Sequence, residues 1–422
     1  MHRSIIVAAA LALGAGVPLS AQQEPWVTTW AASPARYASS APSTAVKALA
    51  SPPAEQTLRN IVHVSLGGEK VRIRLCNALS SEPLVVPDVF VAVRAKDDAI
   101  DPATSRAVTF SGSRSFTIPA GADMLSDPIA LHFTAGADLA VSVFTRGRTG
   151  TGTLHPLALQ TSYAASGDQA GRTSLHGAEK IFSWPFLSEI EVAAPAHVST
   201  VVAFGDSITD GAITKPDTDL RWPDDLSARF QAAHLVLGIA NEGIAGNRLL
   251  HDGQGGFGPL FGPSALARFD RDVLALAGVR YLIVLLGIND IGQPGTPGTA
   301  SAPGVPADSA VSAEEIEGAL RQIVERAHVH GIRVMGATLL PFGNAKAPEY
   351  FSEEKEKKRE AVNQWVRGSG VFDAVADFDA ATRDPQHPRQ MRQKFDGGDG
   401  LHPGAAGMKA LADSIPLDFF RK

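Results

Sequence analysis

The chain has 422 residues, of which 44% are hydrophobic and 19% are charged, and its formal net charge is −6 at pH 7. This composition predicts a packed globular protein of two or three domains and argues against a disordered chain. No dense basic run is present in the sequence, so we expect no nucleic-acid-binding surface.

The first 21 residues have the features of an export signal. His2 and Arg3 form a basic start, the apolar run Ile5–Val17 follows, and Pro18–Ala21 offers a small-residue cleavage site. The apolar run is shorter than the roughly 20 residues that cross a bilayer. An uncleaved anchor is the alternative. We expect cleavage near Ala21, which predicts a secreted or periplasmic mature protein with no stable membrane insertion.

Residues 22–197 are predicted to form a β-sandwich-like domain. Thr57–Ser65 and Lys70–Asn77 alternate between apolar and polar residues around Gly67-Gly68, a pattern typical of a β-hairpin. Short strands divided by Gly, Pro and Asp clusters favour a sandwich. The further predicted strands are Val85–Val93, Ala107–Phe110, Ser115–Ile118 and Leu139–Thr145.

Three side chains of this first domain are predicted to have packing roles. Trp26 and Trp30 stand in an Ala/Ser/Pro-rich stretch and are predicted to anchor it to the rest of the fold. Cys76 is the single cysteine of the chain, so an intrachain disulfide is excluded. It ends an alternating strand pattern, which favours a small buried side chain over a nucleophile.

Residues 198–422 are predicted to form a second, α/β domain, with the boundary near residue 197. Apolar runs typical of strands buried on both faces alternate with helical stretches, which predicts a doubly wound sheet with helices on both faces. Ser312 and Glu315 have the spacing of a capping box. The predicted strands are Thr200–Phe204, Leu235–Ile239, Tyr281–Leu286 and Ile332–Leu340, and the predicted helices are Trp222–Ala233, Ala265–Leu276, Glu314–His330 and one from Glu353 to Val366.

A Gly/Pro/Ala/Ser-rich segment spans residues 292–312. Loops of this length inside a compact domain are usually functional or mobile. Two interpretations stay open, a neutral surface insertion and a segment at the rim of a pocket.

Ser207 lies in Gly205-Asp206-Ser207, directly after a predicted buried strand and before a predicted helix. Open α/β sheets bind ligands at such strand ends, and a helix start favours developing negative charge. In isolation the triplet fits a helix N-cap better than a nucleophile.

A serine hydroxyl needs an adjacent base before it attacks. His402 near the C-terminus is the candidate base, and Asp399 three residues earlier is the candidate partner that orients the imidazole. One loop can present both side chains. A glycine-rich turn without a catalytic role is the alternative for this segment.

Two further segments follow predicted strands and offer donors for an oxyanion. We expect the Ser207 amide, the Gly246 amide and the Asn289 side chain to serve as these donors. Asp206 and Asn247 adjoin them and are predicted to order the loops through hydrogen bonds.

Ser207, Gly246, Asn289 and His402 stand in Gly-Asp-Ser, Ala-Gly-Asn, Gly-Ile-Asn-Asp and Asp-Gly-Leu-His. In content and order these segments resemble the four blocks of the SGNH hydrolases, also called GDSL esterases and lipases. The first block has isoleucine where that name has leucine. The resemblance covers residues 198–422 and implies a flavodoxin-like three-layer α/β/α fold and metal-free ester hydrolysis through an acyl-enzyme. The upstream half is similar to the β-domain of a bacterial branch of this family.

No cofactor or metal is expected. Asp396 and Asp399 lack the ligand spacing of an EF-hand calcium loop. The histidines outside the Asp-Gly-Leu-His block show no zinc-ligand pattern, as the positions His63, His155, His251 and His387 illustrate.

The leading functional prediction is an exported serine carboxylic-ester hydrolase that acts on small-molecule or polysaccharide esters, in particular as an acetylesterase. A lipase, lysophospholipase or aryl esterase is the second interpretation. A carbohydrate-binding module with a degenerate site is an alternative of another class. The natural acyl group and alcohol, and the oligomeric state, stay open at this point.

Overall fold

The computed structural model describes residues 25–36, 55–147, 152–298 and 303–421. The predicted export signal, residues 1–21, lies outside these ranges. Within them, every helix is too short or too polar to cross a membrane.

The first domain consists of two antiparallel sheets and a small third one, as the predicted β-sandwich-like domain requires. One sheet has the order β1-β16-β4-β10, with β9 also paired to β4, and the other has the order β14-β13-β3-β11-β5-β6, with β7 and β8 paired to β5. Strands β15-β12-β2 form the small sheet. Apolar side chains of both larger sheets share one core. The strands are Trp26–Ala31 (β1), Ala35–Arg36 (β2), Glu55–His63 (β3), Gly68–Cys76 (β4), Leu84–Lys96 (β5), Ala99–Ile100 (β6), Arg106–Ala107 (β7), Phe116–Ile118 (β8), Asp123–Leu125 (β9), Ile129–Phe133 (β10), Asp138–Arg146 (β11), Thr153–His155 (β12), Ser162–Ser166 (β13), Glu179–Ile181 (β14), Trp184–Pro185 (β15) and Leu187–Ala193 (β16).

The predicted hairpin around Gly67-Gly68 is wrong. Both strands exist, but β3 pairs with β11 and β13 whereas β4 pairs with β9, β10 and β16. The two glycines lead the chain from one sheet into the other. A Cβ atom at Gly67 would lie 2.5 Å from the backbone oxygen of Phe133, so this crossing packs too closely for a side chain.

The single cysteine and the first tryptophans of this domain are packed as predicted. Cys76 is buried, and burial raises the pKa of its thiol to about 12. Trp30 is buried edge-on against Trp184, with ring centroids 5.0 Å apart. Trp26 lies under the guanidinium of Arg72 at 4.1 Å.

The second domain is built on a five-stranded parallel sheet, which confirms the predicted flavodoxin-like α/β fold. Its order is β18-β17-β19-β20-β21, so in chain order the strands run 2-1-3-4-5 across the sheet. This is the flavodoxin-like order, in which ligands bind at the carboxyl ends of the strands where the chain direction across the sheet reverses. The strands are Ser199–Gly205 (β17), Leu237–Gly243 (β18), Val279–Leu285 (β19), Arg333–Ala337 (β20) and Ala374–Ala376 (β21).

Two layers of helices cover this sheet. Helix α8 packs against α2 and α7. Helix α5 packs against α3 and α6. The predicted helix over residues 265–276 is shorter than expected, because a π-helical turn at Asp270–Leu274 follows α3. Ser312 and Glu315 form the predicted capping box at the start of α5. The helices are Ser207–Asp210 (α1), Trp222–Ala232 (α2), Ala265–Phe269 (α3), Ile288–Gly292 (α4), Ala313–Val329 (α5), Glu353–Gly368 (α6), Phe378–Thr382 (α7) and Ala405–Ser414 (α8).

The first strand among the described residues, β1, packs against the parallel sheet of the second domain. The Thr28 amide donates to the Thr200 hydroxyl at 3.0 Å, and Ala32 forms a parallel bridge with Asn241 of β18. A Cβ atom at Gly238 would lie 2.1 Å from the Thr28 backbone oxygen, so glycine permits this contact. Strand β1 and the residue after it therefore contact both β17 and β18 of the parallel sheet.

A buried polar network joins the two domains beside this edge. The guanidinium of Arg268 donates to the Ser33 hydroxyl at 2.8 Å and to Asp272 at 3.0 Å. The same group donates to the backbone oxygens of Gly205 and Glu242. Burying a charge without partners is costly, so the two domains satisfy this arginine together.

Candidate active site

Ser207 lies at the carboxyl end of β17, as the first residue of the one-turn helix α1. Asp206 caps this helix, because its Oδ1 atom accepts from the Ile208 amide at 3.0 Å. A Cβ atom at Gly205 would lie 2.0 Å from the Thr209 hydroxyl, so a glycine is needed for the turn from strand to helix. Ser207 is 7% exposed and borders an open cavity.

The structure brings His402 and Asp399 to Ser207. The Nε2 atom of His402 lies 2.8 Å from the Ser207 Oγ atom, and its Nδ1 atom lies 2.7 Å from the Asp399 Oδ2 atom. An ionised carboxylate only accepts hydrogen bonds, so Nδ1 carries the hydrogen of a neutral ring. The Nε2 atom is then free to accept the proton of the Ser207 hydroxyl.

Asp399 is held ionised by its surroundings. Burial alone would raise its pKa, but hydrogen bonds from the side chain and backbone of His402 and from the Leu401 amide outweigh burial and lower the pKa to about 2. The two backbone amides donate to Oδ1 at 2.8 and 3.0 Å, which leaves Oδ2 for the imidazole. Asp399 therefore stays charged at every pH well above about 2.

The pKa of Asp206 is shifted in the opposite direction. Its side chain is fully buried, and burial raises its pKa to about 7. Its Oδ2 atom has no hydrogen-bond partner among the described residues. A carboxyl group with a raised pKa in the folded state favours folding at low pH, and this contribution is lost as the pH rises through the folded pKa.

We expect Asp206→Asn to remove this pH dependence. In the wild type the stabilising contribution is complete below pH 3.8, the ordinary pKa of the group, and is lost between there and about pH 7, at about 1.4 kcal/mol for each pH unit. Asparagine keeps an oxygen for the Ile208 amide but carries no charge. The free energy of unfolding, measured in urea at pH 5 and pH 8, should be higher for the variant relative to the wild type at pH 8 than at pH 5. An unchanged difference between the two pH values would contradict the prediction.

Gly246 and Asn289 follow the neighbouring strands β18 and β19 and border the same cavity as Ser207. Gly246 has φ +75°, and a Cβ atom there would lie 2.3 Å from the Phe261 ring, so this position requires glycine. The side-chain nitrogen of Asn289 donates to the Asn247 backbone oxygen at 3.0 Å. An amide nitrogen carries two hydrogens, so one further N–H of Asn289 can serve another acceptor.

Sequence reasoning missed two residues that fix Asn289. The Tyr350 hydroxyl donates to the Asn289 Oδ1 atom at 2.8 Å, and the Gln293 amide donates to the same oxygen at 3.0 Å. Gln293 also donates to the Gly246 backbone oxygen at 2.8 Å. With Oδ1 occupied by two donors, the orientation of the Asn289 amide is set. Gln293 stands four residues after Asn289, directly after the end of α4, but no sequence signal points to Tyr350.

Asn247 and Asp290 hold the loops on either side of these donors. The Asn247 oxygen accepts from Arg268 at 2.9 Å, and its nitrogen donates to the backbone oxygens of Phe261 and Pro263. Asp290 accepts from the amides of Leu249 and Leu250, and burial raises its pKa. The loops after β18 and β19 are thus tied to each other.

The cavity in front of Ser207 has a volume of about 440 Å³ and is mostly apolar. Residues 296–298 and 303–305 line it, so the described part of the Gly/Pro-rich segment 292–312 stands beside Ser207. Phe257, which is 41% exposed, stacks on Phe261 at a centroid distance of 6.0 Å. The apolar lining includes Ala212, Phe257, Phe261, Pro297, Pro303, Val305, Pro348 and Leu401.

One histidine that the sequence leaves isolated gains acidic neighbours in the fold. The His63 Nδ1 atom lies 2.9 Å from Asp138 and 3.7 Å from Asp219. The other oxygen of Asp138 pairs with Arg94 at 3.0 Å. The arginine already balances charge there, so we assign no metal to this cluster.

Comparison with known proteins agrees with this geometry. Residues 203–410 match the model of the GDSL-like Lipase/Acylhydrolase family. The comparison with curated proteins gave no match.

Solved structures similar to this chain include three enzymes. A GDSL-like lipase from Bacteroides thetaiotaomicron is 17% identical, covering 53% of this chain and 88% of its own, with a TM-score of 0.38. A variant of an acetyl xylan esterase from Geobacillus stearothermophilus is 20% identical, covering 53% and 94%, with a TM-score of 0.38. An α/β hydrolase from the metagenome of Lake Arreo is 20% identical, covering 53% and 95%, with a TM-score of 0.37.

The family match extends over the whole parallel sheet except the first four residues of β17, Ser199–Val202. It contains Ser207, Gly246, Asn289, Asp399 and His402. The chain is therefore a carboxylic ester hydrolase whose residues 203–410 form a domain of the GDSL-like lipase/acylhydrolase family.

Proposed function

We propose that the chain is an exported serine esterase that hydrolyses small-acyl esters through an acyl-enzyme on Ser207. The observation that carries this proposal is the continuous chain of hydrogen bonds from Ser207 Oγ to His402 at 2.8 Å and from His402 to Asp399 at 2.7 Å. Export is supported by the features of residues 1–21.

In the first step the Ser207 oxygen attacks the ester carbonyl carbon while His402 Nε2 takes the hydroxyl proton. The carbonyl oxygen becomes an oxyanion. The Ser207 amide, the Gly246 amide and the Asn289 side chain are the donors we assign to it, since all three residues border one cavity. Asp399 stabilises the imidazolium that forms.

The tetrahedral intermediate then breaks its bond to the alcohol oxygen, and His402 passes the proton to that oxygen. The alcohol leaves and the acyl group stays on Ser207. In the second half a water molecule gives its proton to His402 and adds to the acyl carbon. Collapse releases the carboxylic acid and returns the proton to Ser207 Oγ, which restores the starting state.

For the natural substrate we favour an acetyl ester on a polysaccharide. The export signal supports an extracellular substrate, and the β-domain docked on the hydrolase domain supports a polymer, which needs more surface than the cavity offers. Polar side chains line the same cavity as Ser207, among them Asn289 and Gln293.

The apolar lining supports a second candidate, a lipase, lysophospholipase or aryl esterase. Phe257 and Phe261 stack on one side of the cavity, and Leu401 and Val305 are also in its wall. A volume of about 440 Å³ holds more than an acetyl group. The apolar part of the cavity then takes a longer acyl chain or an aryl alcohol.

A chain-length series of p-nitrophenyl esters separates these candidates. We expect kcat/KM to be highest for the acetyl ester and to fall steadily beyond butyryl, together with release of acetate from acetylated xylan. A maximum at octanoyl or longer would favour the lipase, and a folded protein inactive on every ester would overturn the proposal. Ser207→Ala is the control for background hydrolysis.

A further inference from the structure

We propose that His155 of the β-domain is a positioning residue for hydrolysis, acting through Asp210 on the loop that carries Gly246. This inference rests on the proposed function, because it concerns the oxyanion donors assigned there. It gives the β-domain a direct part in the geometry of the active site.

His155 is the last residue of β12 and is 3% exposed. Its Nδ1 atom lies 2.9 Å from the Ser33 backbone oxygen, and its Nε2 atom lies 3.1 Å from the Asp210 Oδ1 atom. The ring packs against Trp184 at a centroid distance of 5.3 Å. The Nε2 atom also lies 3.3 Å from the Leu157 backbone oxygen, so the imidazole faces two oxygens of the β-domain and one of the hydrolase domain.

Asp210 connects this histidine to the active site. It is the last residue of the one-turn helix that begins with Ser207, and its backbone amide donates to the Asp206 oxygen at 2.9 Å. While Oδ1 faces His155, Oδ2 accepts from the Ala245 amide at 2.8 Å. Asp210 therefore belongs to the helix of Ser207, and its carboxylate contacts both the β-domain and the residue next to Gly246.

The Ala245 contact bears on the oxyanion donor because of chain connectivity. The Gly246 N–H belongs to the peptide that joins Ala245 to Gly246, and the Asp210 contact fixes the amide one peptide earlier. Gly246 has φ +75° and packs against Phe261, so the direction of its N–H depends on how the preceding peptide is held. If Asp210 turns, the direction of the Gly246 N–H changes with it.

Further contacts hold the β-domain segment 155–161 against the loop after helix α1. Arg221 donates to the Ala158 backbone oxygen at 2.5 Å, and the Asp217 amide donates to the Leu159 oxygen at 3.0 Å. The Asp217 carboxylate accepts from the amide and hydroxyl of Thr161. His155 is the member of this segment whose partner also touches the Gly246 loop.

Two isosteric variants separate positioning from simple packing. In His155→Gln the side-chain amide nitrogen falls near the former Nε2 position and keeps a donor for Asp210. In His155→Asn it falls near the former Nδ1 position and keeps a donor for Ser33 only. Each variant keeps a donor at only one of the two ring-nitrogen positions and loses the ring, so a packing role predicts similar effects from the two.

We expect His155→Asn to lower kcat for p-nitrophenyl acetate about 10- to 100-fold with KM changed less than about twofold, because a misplaced donor weakens only the transition state. His155→Gln should keep kcat within about threefold of the wild type. His63→Gln is the matched control, since His63 also pairs with an aspartate, Asp138, but has no contact with Asp210 in the structure. Its kcat should be unchanged.

The unfolding free energy of each variant is measured beside the kinetics. Equal kcat losses in the two His155 variants that follow their losses of stability, or a wild-type kcat in a folded His155→Asn, would overturn the inference. Should His155→Asn fail to fold, Asp210→Ala takes its place, with the same kcat loss expected per folded molecule. Ser207→Ala run in parallel detects failure of the proposed function itself, because that variant would then remain active.

Discussion

Ser207→Ala is expected to lower kcat for p-nitrophenyl acetate by about 10⁶-fold, as the loss of the nucleophile does in serine proteases. The hydroxyl is the group that forms the acyl-enzyme, and its Oγ atom is the one within 2.8 Å of the His402 base. Alanine leaves helix α1 intact, because the cap of that helix comes from Asp206. The folding free energy should therefore change little. Stopped-flow and steady-state kinetics measure the loss.

The exposed Ser115 provides the matched control for this prediction. It lies in the β-domain, and Ser115→Ala should leave kcat and KM at their wild-type values. A Ser207→Ala protein that retains more than about one hundredth of wild-type kcat would show that another group is the nucleophile.

Asp399→Asn is expected to lower kcat by about 10⁴-fold with the loop geometry preserved. The Asp399 Oδ1 atom accepts from two backbone amides, so asparagine keeps its oxygen there and turns its nitrogen toward His402. That nitrogen donates to Nδ1, which moves the ring hydrogen to Nε2. An Nε2 atom that carries hydrogen cannot accept the Ser207 proton.

Asp396→Asn is the control, in the same turn and with the same change of charge. Asp396 accepts from the amides of Gly398 and Gly400, and its side chain makes no contact with His402 among the described residues. Its kcat should stay within a few-fold of the wild type. Equal losses in Asp399→Asn and Asp396→Asn would assign the effect to the turn and not to the imidazole.

Much of the hydrolase domain is predictable because local patterns determine it. The apolar run at Thr200–Phe204 became the central strand β17, since a strand covered on both faces needs no alternation. Ser312 and Glu315 formed the capping box because each partner lies within one helical turn of the other. The residues of the site stood at strand ends, and in a parallel sheet these ends meet at one edge.

The rest depends on contacts between distant parts of the chain. Gly67-Gly68 has the local features of a hairpin, yet β3 and β4 pair with strands whose residues are 47 to 121 positions away. Tyr350 reaches Asn289 from 61 residues downstream, and His155 reaches Asp210 across a domain boundary. Composition and spacing do not encode which distant side chains meet.

The docking of β1 along the parallel sheet sets an order of events during synthesis. Thr28 donates to Thr200, which is 172 residues further along the chain. At ribosomal speeds of about 5–20 residues per second, the first strand waits roughly 10 to 30 seconds before this partner exists. Ala32 waits longer, until Asn241 has been made. The contacts of this N-terminal segment with the hydrolase domain are thus complete only when more than half of the 422 residues have been translated.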